Sequence, residues 1–278
     1  MKNQLPSSES HLENGLSKTT RVAILTQEDS FVIPENISML HKVENINIVA
    51  VIKIDASGSL NNKKSLFIRG FGISQVAKMG MLFSFHKVLN FIDLLFLFKL
   101  KFLKSLRSAA SNCQSEYIEI KDPNDRSNID WLSKQKVDLI ISFSAPCVFK
   151  KELLEVPDLG CINLHCSLLP NYAGLLPSFW TLFHKEQNLG ATVHKMDDRI
   201  DNGSILGQVE ISKLSDPSMF EVIKKTKIAG GNLMISVVKD MIDGKILEQT
   251  NYVDSESYYS WPSVEQIKLF RANGGKLI

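Results

Sequence analysis

Two hydrophobic periods alternate along most of this chain. Short apolar runs of strand length stand at Arg21–Thr26 (R-V-A-I-L-T), Ile46–Ile54, Tyr117–Ile120, Val137–Ser142, Gly160–Leu164, Gly190–Met196 and Ser204–Leu214. Helical spacing fills the gaps, at about Pro34–Val43, in a short segment ending near Lys134, from Pro177 onward (P-S-F-W-T-L-F-H-K-E-Q), and over Pro217–Asp243. Pro34 and Pro177 suit first helical turns. The β-α-β opening predicts an open, mostly parallel, Rossmann-like α/β sheet. No G-x-G-x-x-G follows the first strand, so a dinucleotide cofactor is not expected. By the strand-end rule for open α/β sheets, Gln27 to Ser30 should border a ligand crevice; the alternative for each of them is an ordinary solvated turn.

One stretch breaks the alternation. After a polar G-S-L-N-N-K-K loop, residues 81–107 are almost continuously apolar (M-L-F-S-F-H-K-V-L-N-F-I-D-L-L-F-L-F-K-L-K-F-L-K-S-L-R) and read as helix. His86, Asn90, Asp93, Lys101 and Lys104 form a narrow polar stripe on it. A membrane span needs roughly 20 apolar residues with few charges, and Asp93, Lys99 and Lys101 interrupt this one. Three readings stand: a core or homodimer-interface helix, a membrane-surface helix whose Lys99, Lys101, Lys104 and Arg107 meet anionic head groups, or a cap over a binding site. The expected organisation is a disordered polar leader over 1–20, a main domain over 21–214 carrying a helical insertion at about 60–110, and a closing helix with a short tail over 215–278.

Composition narrows the class. The 278 residues carry a formal net charge of +2, so the chain has no basic field of the kind that drives nucleic-acid binding. The leader lacks the apolar core of a secretory signal, and Cys113, Cys147, Cys161 and Cys166 show no paired framework, which fits free thiols in a reducing cytoplasm. Cys161, His165 and Cys166 match no common zinc spacing, so no metal is expected.

The candidate chemistry lies between Cys161 and Leu206. Asn163 and His165 are two apart at the end of an apolar run, so on a strand they share a face. Asp201 follows the next β-like run in a D-D-R-I-D-N-G turn. An amide and an imidazole can donate to a developing oxyanion while a carboxylate orients the imidazole and moves a proton, which suits acyl transfer. His194 alternates with Thr192 and reads as a supporting residue.

These residues sit in two ordered blocks, N-L-H-x-S-L-L-P-x-Y-x-G and G-x-T-x-H-x-M-D-x-x-I-D-x-G-x-I-L, that resemble the folate-dependent formyltransferase family, with P-S-F-W at Pro177–Trp180 similar to its sugar N-formyltransferase branch. The resemblance implies catalytic roles for Asn163, His165 and Asp201. It also implies 10-formyltetrahydrofolate as formyl donor, held near Cys147, Val148, Phe149, Asp197 and Asp198. A small-molecule amine, above all a nucleotide-linked amino sugar for a surface polysaccharide, is the implied acceptor, beside Gln27, Asp29, Tyr172 and Trp180. Methionyl-tRNA formyltransferase, formyltetrahydrofolate hydrolase and a catalytically silent folate binder remain the alternatives. Cys166 stands where Pro or a small polar residue is frequent in the family. Ala173 replaces a basic residue that often precedes the glycine, which weakens any inference of phosphate binding.

Overall fold

Side-chain alternation along the first strand sorts the core into two layers. Strand β1 (Thr20–Thr26) sends Val22 and Ile24 into one apolar cluster and Ala23 and Leu25 into another, all fully buried. A strand buried on both faces reads as a continuous apolar run, as R-V-A-I-L-T does. The computed structural model describes residues 19–55, 57–212 and 214–278; most of the expected leader, residues 1–18, lies outside the described residues.

After β1 come α1 (Ile33–Leu40), β2 (Ile46–Ile54), α2 (Ser57–Phe71), α3 (Ile73–Leu95), α4 (Leu106–Cys113), β3 (Glu116–Ile120), α5 (Arg126–Lys134), β4 (Leu139–Ser142) and the single turn α6 (Lys151–Leu154). Then follow β5 (Cys161–His165), the two-residue β6 (Ala173–Gly174), α7 (Pro177–Phe183), β7 (Leu189–Lys195), β8 (Ile205–Ile211), α8 (Met219–Ile242), β9 (Tyr258–Tyr259) and α9 (Val264–Ala272). The main sheet runs β3-β2-β1-β4-β5-β7-β8. Its first five strands are parallel, whereas β7 lies antiparallel to both β5 and β8. The expected open, mostly parallel α/β sheet is therefore the observed one. Chain direction along the sheet reverses between β1 and β4, and there the Thr26 hydroxyl donates to the Phe143 carbonyl (2.6 Å). This switch point is where such sheets open a ligand crevice.

The Gly230–Gly231 pair, read from sequence as a kink or a close approach, is a close approach. A Cβ on Gly230 would overlap the Leu164 methyls on β5, and one on Gly231 would overlap the Asn36 amide on α1. The bare backbone lets α8 lie directly on the strand that carries Asn163 and His165, and the Asn36 amide donates to the Lys227 carbonyl (2.9 Å).

The 60–110 region differs from one long helix. Gly72, at φ 86°, separates α2 from α3, and the polar loop expected before it is the first part of α2. Helix α3 stops at Leu95. The buried Asp93 carboxylate accepts the backbone N–H groups of Leu100 (3.1 Å), Lys101 (3.2 Å) and Phe102 (3.0 Å), which turns the chain out of helix. Ser105 then caps α4 through a capping box. The polar stripe does not run outward along the helix. His86, Asn90 and Asp93 lie toward the protein, and Lys101 is exposed in the connection beyond.

The tail is tied to the body. β9 pairs in parallel with β6, and the Ser263 capping box starts α9, whose Ile267 and Phe270 are buried against Phe71 and Phe179.

Gly230→Val should overpack this contact and destabilise the fold by about 1–3 kcal/mol, read as a lowered midpoint in thermal or urea melts. An unchanged midpoint would mean that α8 does not need its present closeness to β5.

Candidate active site

β5 builds the site by alternation. Ile162 and Leu164 enter the core layer under α8, so Asn163 and His165 share the opposite face. The antiparallel register then sets His194 across from Asn163 and Thr192 across from His165. The Asn163 amide nitrogen lies 3.2 Å from His194 Nε2. Thr192 accepts the Leu169 N–H (3.0 Å) and donates to the Ser167 carbonyl (2.7 Å), fixing the turn that leaves β5.

Asp201 reaches the cluster from the turn after β7. Its φ of 52° is left-handed, a conformation that Asp tolerates better than most residues. The Asn251 amide holds this turn by donating to the carbonyls of Asp201 (2.8 Å) and Gly203 (3.1 Å). Asp201 Oδ2 then stands 3.3 Å from His165 Nδ1 and accepts the Gly174 N–H (2.8 Å), while Oδ1 stands 3.5 Å from His194 Nε2. Gly174 has φ 94°, and a Cβ there would collide with the Tyr259 carbonyl, so only glycine fits.

The Tyr172 carbonyl lies 2.9 Å from His165 Nε2. Both neighbours of the His165 ring, that carbonyl and the Asp201 carboxylate, are oxygens that only accept. Each contact therefore needs a proton on the ring nitrogen facing it. His194 Nδ1 meets the Lys195 carbonyl (2.7 Å), and its Nε2 faces both the Asn163 amide and Asp201, serving one of them at a time.

Burial alone would raise the Asp201 carboxyl. The charge of His165, the hydrogen bond and charge of His194 and the Gly174 N–H more than offset this, and hold it at about 2 against an ordinary 3.8. A second buried pair stands at the end of β1. Asp29 Oδ2 binds Lys227 Nζ at 2.7 Å, and Oδ1 accepts the N–H groups of Phe31 (2.8 Å), Val32 (2.8 Å) and Ile33 (3.3 Å) at the start of α1. Burial would raise this carboxyl too, but Lys227 and these donors bring it down to about 2. Burial opposes the charge on Lys227, yet the Asp29 carboxylate beside it raises its pKa overall.

Asn163, His165 and Asp201 are thus gathered in one place, joined by His194 and the backbone of Tyr172. The other expected residues are distributed around them. Gln27 is half-buried at the end of β1, and Asp29 is committed to Lys227 and α1. The Tyr172 hydroxyl donates to Glu186 (2.6 Å) and its ring stacks on Tyr259. Trp180 is buried among Phe179, Phe183 and Tyr259, its indole N–H donated to the Ser260 carbonyl (2.9 Å). In the loop after β4, Val148 is exposed while its carbonyl accepts from the Asn124 amide (3.0 Å). Phe149 is buried, and burial pushes the Cys147 thiol up to about 11. Asp197 accepts the Arg199 N–H (2.9 Å) and Asp198 is exposed.

Residues 102–238 match a family model described as formyl transferase. This segment is a formyltransferase-family domain. It contains all four side chains of the cluster. The methionyl-tRNA formyltransferase of Clostridium tetani is 34% identical over 149 residues, 52% of this chain and 48% of that protein. The chain spans less than half the length of that protein and of seven other curated relatives it matches. In fold, it is similar to a sugar N-formyltransferase from Shewanella sp FDAARGOS_354 at a TM-score of 0.55 and 15% identity, over 91% of this chain and 88% of that one. It is also similar to WlaRD, a sugar 3N-formyl transferase solved in the presence of dTDP and 5-N-formyl-THF, at a TM-score of 0.52 and 15% identity, over 87% and 69%.

Within this formyltransferase domain, sequence reasoning placed His194 in a supporting role, and the structure puts it in direct reach of Asn163 and Asp201. The usable signal was alternation together with the antiparallel pairing of β7, which the sequence pattern alone does not reveal.

The folded-state value of Asp201 lies below its unfolded value. Its ionised form therefore stabilises the fold fully above about pH 4, and that contribution is lost as pH falls through about 2. Asp201→Asn removes it. The unfolding free-energy difference between the native protein and D201N should shrink by about 2 kcal/mol between roughly pH 5 and pH 2. A flat difference in urea melts across that range would contradict the role given to the histidines.

Proposed function

We propose that this chain transfers a formyl group from 10-formyltetrahydrofolate to a primary amine, and that the amine belongs to a nucleotide-linked amino sugar. The observation that carries the reading is the buried cluster of Asn163, His165, His194 and Asp201 at the carboxyl end of β5, inside a formyltransferase-family domain. Attack of a neutral amine on the formyl carbon makes an oxyanion, which needs donors about 3 Å away. The Asn163 amide is one donor. His165 Nε2–H is the other, given up by the Tyr172 carbonyl when substrate binds, while Gly174 stays on Asp201. Asp201 keeps the His165 ring in orientation and, directly or through water, takes the proton lost by the amine. Collapse of the oxyanion breaks the bond from the formyl carbon to folate N10, which receives that proton as tetrahydrofolate leaves. The folate is assigned to the loop after β4, at Cys147, Val148 and Phe149, and to the Asp197–Asp198 turn.

The P-S-F-W segment and the solved sugar N-formyltransferases of like fold support the sugar acceptor. Lys227 stands at the crevice already paired with Asp29, and Ala173 supplies no charge, so acceptor phosphates would be held by other groups. Methionyl-tRNA is the second reading, favoured by the identity to methionyl-tRNA formyltransferases.

The test is formyl transfer from 10-formyltetrahydrofolate to a panel of nucleotide-linked amino sugars and to methionyl-tRNA, read by mass spectrometry. A formylated amino sugar is expected. Asn163→Ala should lower the rate by about 10²–10³, the usual cost of losing one oxyanion donor, and His165→Ala by at least as much. Formylation of methionyl-tRNA alone would select the second reading. Folate binding without release of a formyl group from any acceptor would overturn both.

A further inference from the structure

Helix α3 is built inside out for a helix exposed to water. Its packed stripe is Met79, Leu82, His86, Leu89 and the fully buried Asp93, which includes its polar members. His86 Nδ1 lies 2.6 Å from the Ser30 carbonyl. At ~100° per residue, Ile73, Met81, Val88, Phe91 and Leu95 fall on the opposite side, and all of them are exposed, Ile73 by 77% and Leu95 by 65%. The apolar surface continues beyond the helix into Phe96, Leu97 (73% exposed) and Leu100. Ala77, Gly80 and Ser84 share the first half of this side, so the exposed apolar residues are densest from Val88 to Leu100. A large exposed apolar patch marks an interaction site. Among the described residues, no helix is long and apolar enough to cross a membrane.

Charge says what covers this surface. Between Ile73 and Lys104 the one acidic residue is Asp93, and it is buried. Lys78, Lys87, Lys99 and Lys101 are exposed, with Lys78 and Lys87 flanking the apolar face on either side. Contact with a second copy through this face would bring like charges together, with no exposed acid to meet them. An anionic lipid surface satisfies both features at once: acyl chains for the apolar residues and headgroups for the lysines.

We propose that the outer face of α3 and the connection after it form a lipid-surface docking site. Val88, Phe91, Leu95 and Leu97 enter the acyl boundary, and the four lysines meet anionic headgroups. The site is anchored from within by Asp93, which pins the Leu100–Phe102 backbone. Because α3 lies over the loop after β1, through His86 on Ser30 and Phe83 against Phe31, docking brings the ligand crevice to the lipid surface.

The full chain is sedimented with vesicles of phosphatidylglycerol or of phosphatidylcholine. It should partition onto the anionic vesicles and far less onto the neutral ones. Val88→Asp/Leu95→Asp should abolish the partitioning, and each of Lys87→Gln, Lys99→Gln and Lys101→Gln should weaken it about fivefold. The lysine variants leave the apolar face intact, so the result does not rest on the aspartate variant alone. Failure to bind phosphatidylglycerol vesicles would overturn the proposal, as would binding that ignores both sets of substitutions. So would a concentration-dependent dimer in sedimentation velocity that Val88→Asp/Leu95→Asp dissolves, with no lipid binding. These readouts do not depend on formyl transfer, so this proposal and the assigned activity can fail separately.

Discussion

A carboxylate with a tenth of its side chain exposed needs partners, and the organisation of this site follows from how Asp201 finds them. Each of its contacts comes from a different part of the chain. His165 is delivered by β5, His194 by β7, and the Gly174 N–H by the loop that β9 braces. Asn251, from the tail, holds the Asp201 turn itself. Displacing any of these would leave a charge buried with too little compensation, so the tail stabilises the site without entering it.

The sheet supplies the geometry for that carboxylate. Five parallel strands place the ends of β1, β4 and β5 at one edge, and the antiparallel return of β7 brings a second histidine opposite Asn163. A parallel β7 would have run the other way along β5 and would not give the same pairing. Close contact between α8 and β5, available because residues 230 and 231 lack side chains, fixes the strand from its other face. A second charged pair, Asp29 with Lys227, closes the start of α1, so Lys227 reaches the neighbouring crevice already paired.

Much of this was legible in the chain. The apolar runs located the sheet strands to within a residue or two in most cases, and the two motif blocks singled out Asn163, His165 and Asp201, which the structure gathers. What stayed hidden depended on pairing between distant segments. The place of His194 follows from strand direction, the brace of Tyr258–Tyr259 on Ala173–Gly174 from a contact about 85 residues apart in the chain. The end of α3 depends on one carboxylate. A run of Leu, Phe and Lys has good helix propensity, but Asp93 offers the backbone of residues 100–102 better partners outside a helix. Asp29 was legible as a crevice residue by position, whereas its commitment to Lys227 joins residues 198 apart.

The central claim is that Asn163 and Asp201 act through one site as a unit. The most direct measurement is a double-mutant cycle on single-turnover tetrahydrofolate formation from 10-formyltetrahydrofolate at saturating amine, with Asn163→Ala, Asp201→Ala and the pair together. Residues that work as a unit lose most of their effect at the first substitution, so the double variant should be little slower than the worse single one. Losses that multiply would contradict the account and make the two residues independent contributors.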